Sequence, residues 1–157
     1  MEKHQAADLN KNVLMAVDDS ANSRRAVHYT AHLLGGVPGV HVTLLHVIPV
    51  PEEDFFPDDA QREEWLQHYR GRMEAVLEEY RQILIAQGFA EDALEKRLPL
   101  RSCPSMAECI LVERDARQYG TIVLGRQGLS RKEEFLFGSI SSKIVNHARQ
   151  CTVWVVE

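Results

Sequence analysis

The chain has 157 residues, 45% of them apolar and 26% charged, as expected of one compact soluble domain. Its net charge is −5 and the Lys and Arg residues are scattered among acids, so no basic face for a phosphate backbone is expected and nucleic acid is excluded as the main partner. The opening residues are polar and lack the apolar stretch of a secretory signal, and no apolar run, Val153 to Val156 included, nears the roughly 20 residues that span a bilayer. The expectation is a cytoplasmic protein with no membrane partner, made of a flexible N-terminus over residues 1–10 and one domain over residues 11–157.

Val13 to Val17 is a short apolar run followed by Asp18, Asp19 and Ser20, and then by Val27, Ala31 and Leu34 at helical spacing. This predicts strand, turn and helix, with Ser20 as N-cap and Gly35-Gly36 as a left-handed stop. Val40 to Ile48 is apolar on both alternating faces apart from His41, Thr43 and His46, the pattern of a strand covered on both sides. Residues 49–59 hold three prolines and five acids and predict a loop. From about Ala60 to Gln87 a long helix is predicted, with Trp65, Tyr69, Met73, Val76, Leu77, Tyr80 and Leu84 on one stripe that reads as core packing.

Leu94 to Leu100 gives a weak strand signal, and Pro99 would remove a ladder donor, which assigns it to a sheet edge. Ser105 to Glu108 has capping-box spacing and starts a helix to Tyr119, ended by Gly120. Thr121 to Leu124 reads as a strand, Ser139 to Arg149 as a helix and Thr152 to Val156 as a final strand. Cys103, Cys109 and Cys151 match neither CxxC nor a zinc pattern and are read as free thiols in a reducing compartment.

Five alternations of strand and helix imply right-handed crossovers and therefore an α/β fold: a doubly wound five-stranded parallel sheet with helices on both faces. With the proline-bearing strand outermost, the simplest strand order is 3-2-1-4-5. Ligands of such sheets bind outside the carboxyl ends where the order reverses, which here means just after Val17 and Leu124.

After the fourth strand the chain reads Gly125-Arg126-Gln127-Gly128 and, after nine intervening residues, Gly138-Ser139, a G-x2-G-x9-G-S pattern. Gly125 and Gly128 would let backbone amides approach a ribose and phosphates, while Gly138 and Ser139 open a helix whose free amides attract anions. Ser139 and Ser141 can add hydroxyl donors. The pattern is neither a Walker loop nor a dinucleotide fingerprint.

Together, the Val17-Asp18-Asp19-Ser20 turn, the strand of residues 44–48, this glycine loop and the ending Thr152-Val153-Trp154-Val155-Val156 resemble the ATP-binding branch of the universal stress protein family. The resemblance covers residues 11–157 and implies ATP as ligand. On that resemblance Asp18 would sit by adenine and ribose, Val47 would pack on adenine, and Ala16 and Val17 would line the base pocket. Gly125 and Gly128 would contact ribose and phosphates, and Gly138, Ser139, Ile140 and Ser141 would hold the terminal phosphates. A common family form has His where this chain has Gln127, which can donate from its amide but carries no charge. Arg126 would add a cation beside the phosphates. A divalent ion, Mg or Mn, bridging the phosphates is compatible with this reading. The resemblance also implies a homodimer, formed through Val153, Trp154, Val155 and Val156 of the last strand, an apolar edge that proteins normally cover.

Other groupings carry less. His28 and His32 lie four apart on the first helix without a third metal ligand, and His46 reads as a satisfied core histidine. The function expected is a nucleotide-occupancy stress or signalling module with slow or no hydrolysis. Two alternatives stand beside it: a slow ATPase or nucleotidyl-transferring enzyme using the same site, and a nucleotide-free dimeric interaction protein.

Overall fold

The computed structural model describes residues 10–126 and 138–157. In chain order its main elements are β1 (Asn12–Ala16), α1 (Ala21–Leu34), β2 (His41–Leu45), β3 (Ile48–Pro49), α2 (Asp59–Ala86), β4 (Leu94–Arg97), β5 (Leu100–Arg101), α3 (Met106–Arg117), β6 (Thr121–Gly125), α4 (Ser139–His147) and β7 (Thr152–Val156). Five strands form one parallel sheet in the order β4-β2-β1-β6-β7. Counting only those five, this is the order 3-2-1-4-5 expected from the sequence.

Side chains alternate across the sheet and so feed two separate cores. Val13, Met15, Val42, Leu44 and Val123 face α1 and α2, where they meet Ala26, Val27, Ala31, Met73, Leu77, Tyr80 and Leu84. Leu14, Leu45, Ile122 and Leu124 face α3 and α4, where they meet Ala107, Cys109, Ile110 and Ile144. Helices therefore cover both faces, which is why β1, β2 and β6 read as nearly unbroken apolar runs.

Local signals set most boundaries. The Ser20 hydroxyl accepts from the Ser23 amide at 3.1 Å and starts α1, and the Ser105 hydroxyl accepts from the Glu108 amide at 3.3 Å and starts α3. At the end of α1 the left-handed residue is Gly36, with φ 79°, while Gly35 has φ −58°. The expected stop of α3 at Gly120 is corrected: Gln118 takes the left-handed cap with φ 51°, three residues before β6. Gly120 serves a different purpose, since a Cβ there would lie 2.2 Å from the Asn10 carbonyl oxygen.

The two longer strand expectations are each divided. Val40 to Ile48 becomes β2 and β3, and Leu94 to Leu100 becomes β4 and the start of β5. The cause is Pro99, which has no amide to donate while its carbonyl still accepts. The His46 amide bonds the Arg97 carbonyl at 3.0 Å, Ile48 bonds Pro99 at 2.9 Å and Val50 bonds Arg101 at 3.3 Å. One set of ladder bonds thus runs on past Leu45 although the regular strands stop. The reading of three free thiols is corrected as well: Cys103 and Cys109 form a disulfide, and Cys151 is free. Their separation of six residues matches no familiar motif, so only the loop-to-helix geometry ahead of α3 brings them together.

Candidate functional site

The turn after β1 is held from three directions. The Val17 amide donates to the Leu45 carbonyl at 2.9 Å, which extends β1–β2 pairing by one residue. From α1, the Ser23 hydroxyl accepts from the Asp18 amide at 3.0 Å and donates to Asp18 Oδ1 at 2.8 Å. From the α2 side, the Tyr80 hydroxyl donates to the Asp18 carbonyl at 2.7 Å, and His46 Nδ1 lies 2.8 Å from the Val17 carbonyl. Both amides and both carbonyls of Val17 and Asp18 are therefore bonded, and their side chains stand on a fixed backbone.

That network assigns the His46 proton. The Val17 carbonyl can only accept, so Nδ1 carries the hydrogen and Nε2, 2.8 Å from the Tyr69 hydroxyl, accepts from it. Burial pushes His46 below its ordinary pKa, outweighing the Val17 hydrogen bond that acts the other way, and keeps the ring neutral. Burial likewise pushes Tyr69 up, and Tyr80 up to about 12, so both phenols remain donors. His46 is a satisfied histidine, as the sequence suggested, and it also lines the cleft described next.

Beyond the carboxyl ends of β1 and β6 lies a cleft of about 200 Å³, lined among the described residues by Ala16, Val17, Asp18, Leu45, His46, Val47, Met106, Ile110, Leu124, Gly125 and Ile140. It sits where the strand order reverses, with β2 and β4 to one side of β1 and β6 and β7 to the other. Most of its walls are aliphatic, and Asp18 is the one carboxylate among the described lining residues. Such a cleft accepts a flat apolar group and offers one acceptor at its rim.

The predicted site residues divide as follows. Ala16, Val17, Asp18, Val47, Gly125 and Ile140 come together on the cleft. Gly138, Ser139 and Ser141 form the start of α4, in which Ser139 is exposed and Ser141 is buried. Gly138 has no side chain to bond the first-turn amides of α4, unlike Ser20, Asp58 and Ser105, which each cap a helix. Arg126 points toward the chain end, its guanidinium 2.7 Å from Glu157 Oε1. Gln127 and Gly128 lie outside the described residues. Gly125 has a structural reason beyond ligand approach: a Cβ there would lie 2.5 Å from the Asn22 carbonyl carbon in the first turn of α1.

Sequence reasoning missed Leu45, Met106, Ile110 and Leu124. Leu45 and Leu124 end strands at the carboxyl edge. Met106 and Ile110 are four apart on α3, one helical face, and the capping box at Ser105 already located the start of that helix. Among the described residues no group of three or more His, Cys, Asp or Glu side chains converges as a metal site, and His28 and His32 are both exposed on α1. No helix among the described residues is long and apolar enough to cross a membrane.

Comparison with known proteins accords with this architecture. The model of the universal stress protein family matches residues 9–157. The fold is similar to that of universal stress protein UspA from Lactobacillus plantarum, with TM-score 0.71, 20% identity and coverage of 94% of this chain and 98% of that one. It is also similar to a universal stress protein from Archaeoglobus fulgidus solved in complex with dAMP, with TM-score 0.62, 19% identity and coverage of 95% and 99%. A third similar structure is a universal stress protein in complex with cAMP, with TM-score 0.69, 20% identity and coverage of 95% and 98%. No curated protein matches the chain. The family match spans nearly the whole sequence, so the chain belongs to the universal stress protein family.

Proposed function

Taking membership of that family as the premise, we propose that this protein binds an adenine nucleotide, ATP, in the cleft beyond β1 and β6 and acts as an occupancy-dependent stress or signalling module. The observation that carries the reading is the juxtaposition of an aliphatic slot with the side-chain-free cap of α4 at the reversal of the sheet. The base would lie among Ala16, Val17, Val47, Met106 and Ile110. Asp18, held by Ser23, would accept from a base or ribose donor. The first-turn amides of α4, with Ser139 and the loop glycines, would meet the phosphates. Family members of the same fold have been solved with dAMP and with cAMP, which favours an adenine nucleotide as the ligand class. Mg or Mn would be held mainly through phosphate oxygens, because Asp18 is the single carboxylate among the described lining residues.

Slow or absent hydrolysis is part of the proposal, and the polar groups of the cleft support it. Both His46 nitrogens are bonded within the fold, and Asp18 in this reading faces the base and ribose and not the terminal phosphate, so neither group would orient an attacking water. Nucleotide released from the denatured purified protein, identified by mass spectrometry, tests the binding reading. Calorimetric titration of Gly138→Val should show affinity severely reduced in a folded variant, whereas unchanged affinity would refute the site. Turnover above about 1 per second with saturating ATP and Mg or Mn would move the protein to the enzyme class. The cytoplasm as location and a homodimer through Val153 to Val156 belong to the same proposal.

A further inference from the structure

The Cys103–Cys109 disulfide bridges the segment before α3 to the first turn of that helix. Between the two cysteines lies Met106, and one residue beyond lies Ile110; both line the cleft. The two sulfurs belong to the same apolar cluster as Ala16, Val47, Leu124 and Ile140, which are also cleft residues. The geometry points to a thiol–disulfide exchange site: we propose that Cys103–Cys109 is reversibly reduced by a dithiol and that its state sets ligand affinity in the cleft. The coupling rests on the nucleotide-binding reading above.

The two sulfurs are unequal, and that gives the exchange a direction. Cys109 is 3% exposed, while Cys103 is half-buried and lines a surface groove with Ser102, Pro104, Glu108 and Leu111. A dithiol's thiolate can therefore reach Cys103 Sγ. A bond forms between those two sulfurs as the bond to Cys109 breaks, and the electron pair leaves on Cys109, which then takes up a proton. The second thiol of the dithiol, losing its proton, attacks its partner sulfur in the mixed disulfide and releases Cys103, which is protonated in turn. The dithiol is oxidised to a disulfide, and the protein gains two electrons and two protons. Cys109 sits in the first turn of a twelve-residue helix, whose dipole offsets part of the cost of a thiolate in its apolar surroundings.

Reduction would act locally. A loop closed over six residues constrains the unfolded chain less than a long one, so the fold depends less on this bond than on a long-range crosslink. The far end of α3 is held independently: Glu113, 1% exposed, pairs with Arg97 Nε at 2.6 Å and Arg101 at 2.9 Å, and Arg114 bonds the Gln150 carbonyl at 3.0 Å. At the near end Lys143 of α4 holds Glu108 at 2.8 Å and Ser105 Oγ at 3.2 Å. Opening the disulfide thus frees chiefly residues 102–104, the segment that leads into the turn of α3 carrying Met106. The same Lys143 contact ties that turn to α4, where the phosphates would bind.

The test is titration of wild-type protein with ATP, oxidised and after incubation with dithiothreitol, alongside thiol alkylation read by peptide mass spectrometry. Cys151 serves as the always-alkylated reference. Expected are alkylation of Cys103 and Cys109 only after reduction, and weakening of binding by about fivefold, the lower end of ordinary site–site coupling. A Cys103→Ala, Cys109→Ala double variant, shown to be folded by its thermal transition, should bind like the reduced protein and ignore dithiothreitol. A disulfide that resists dithiothreitol in the folded protein overturns the exchange site. Equal ATP affinity in both states, or a response to dithiothreitol that persists in the double variant, overturns the coupling while leaving the nucleotide site intact. Binding in neither state removes the nucleotide reading and the coupling with it, and the alkylation pattern still decides the exchange site.

Discussion

Replacing Ser23 by Ala should loosen the turn on which the cleft is built. Ser23 is 4% exposed, and its hydroxyl makes two bonds to one residue: it accepts from the Asp18 amide at 3.0 Å and donates to Asp18 Oδ1 at 2.8 Å. A neutral bond of this kind contributes about 1 kcal/mol net and one to a charged group about 1.5–3 kcal/mol. The Asp18 carboxylate is half-buried and would recover part of its loss from water, whereas its amide faces the helix and would recover less. The expected cost is about 2 kcal/mol. At this chain length that corresponds to about 4–8 °C in Tm. Urea unfolding followed by circular dichroism should show a lower midpoint with an unchanged slope, since the exposed surface is the same. Ser139→Ala, at an exposed position, should shift stability by less than about 0.5 kcal/mol. A Ser23→Ala loss as small as that of Ser139→Ala would refute the claim that Ser23 holds the turn.

Gly125→Ala should destabilise the ligand-free protein by about 1–3 kcal/mol, because its Cβ would meet the Asn22 and Ser23 backbone, where neither β6 nor α1 can give way cheaply; wild-type stability without nucleotide would leave Gly125 with only a ligand role. Val155→Lys should convert a dimer to monomer in light scattering at micromolar concentration, since β7 is the sheet's last strand and pairs only with β6 among the described residues; a dimer that survives would rule out that edge. His46 predicts a pH dependence. Its folded pKa lies below the ordinary value of 6.5, so below that value the unfolded chain binds more protons than the folded one. The stability it contributes is present above pH 6.5 and falls as pH drops through that value toward the folded pKa. The difference in unfolding free energy between wild type and His46→Gln should shrink over that window, and a difference independent of pH would contradict a neutral buried ring.

The fold was legible because burial on both faces of a parallel sheet leaves a strong record. Val13 to Val17, Val40 to Ile48 and Thr121 to Leu124 carry apolar residues on both alternating faces, and Ser20 and Ser105 mark helix starts by a mechanism that acts within one turn. Strand order followed from the weak, Pro99-bearing strand belonging on an edge and the chain then restarting beside the first strand. The cleft was legible only in part. Residues next to strand ends, such as Val17 and Gly125, are found by topology, while Met106 and Ile110 reach the cleft from α3 and depend on how that helix packs on the sheet. The disulfide was illegible for the same reason, because cysteines six apart meet only when a loop turns into a helix between them. The sequence assigns Arg126 as a cation for phosphate; among the described residues its guanidinium meets Glu157, which follows Val156 at the same carboxyl end of the β6–β7 pairing.

The long helix α2 had no assigned purpose from sequence beyond core packing, and the structure gives it a second one. Met73, Val76, Leu77 and Leu84 do pack into the core as their stripe predicts. Tyr69 and Tyr80 share that stripe, eleven residues or about three turns apart, and carry hydroxyls that an apolar stripe does not require. Tyr80 bonds the Asp18 carbonyl, and Tyr69 bonds His46, which bonds the Val17 carbonyl. An aromatic body therefore fills the core while a polar tip satisfies backbone groups that the end of β1 leaves open. Because β1 stops at Ala16 and the first turn of α1 begins only after Ser20, those carbonyls have no strand or helix partner of their own. A shorter helix would leave one or both unbonded beside the cleft, so the length of α2 is tied to the rigidity of the turn that presents Val17 and Asp18.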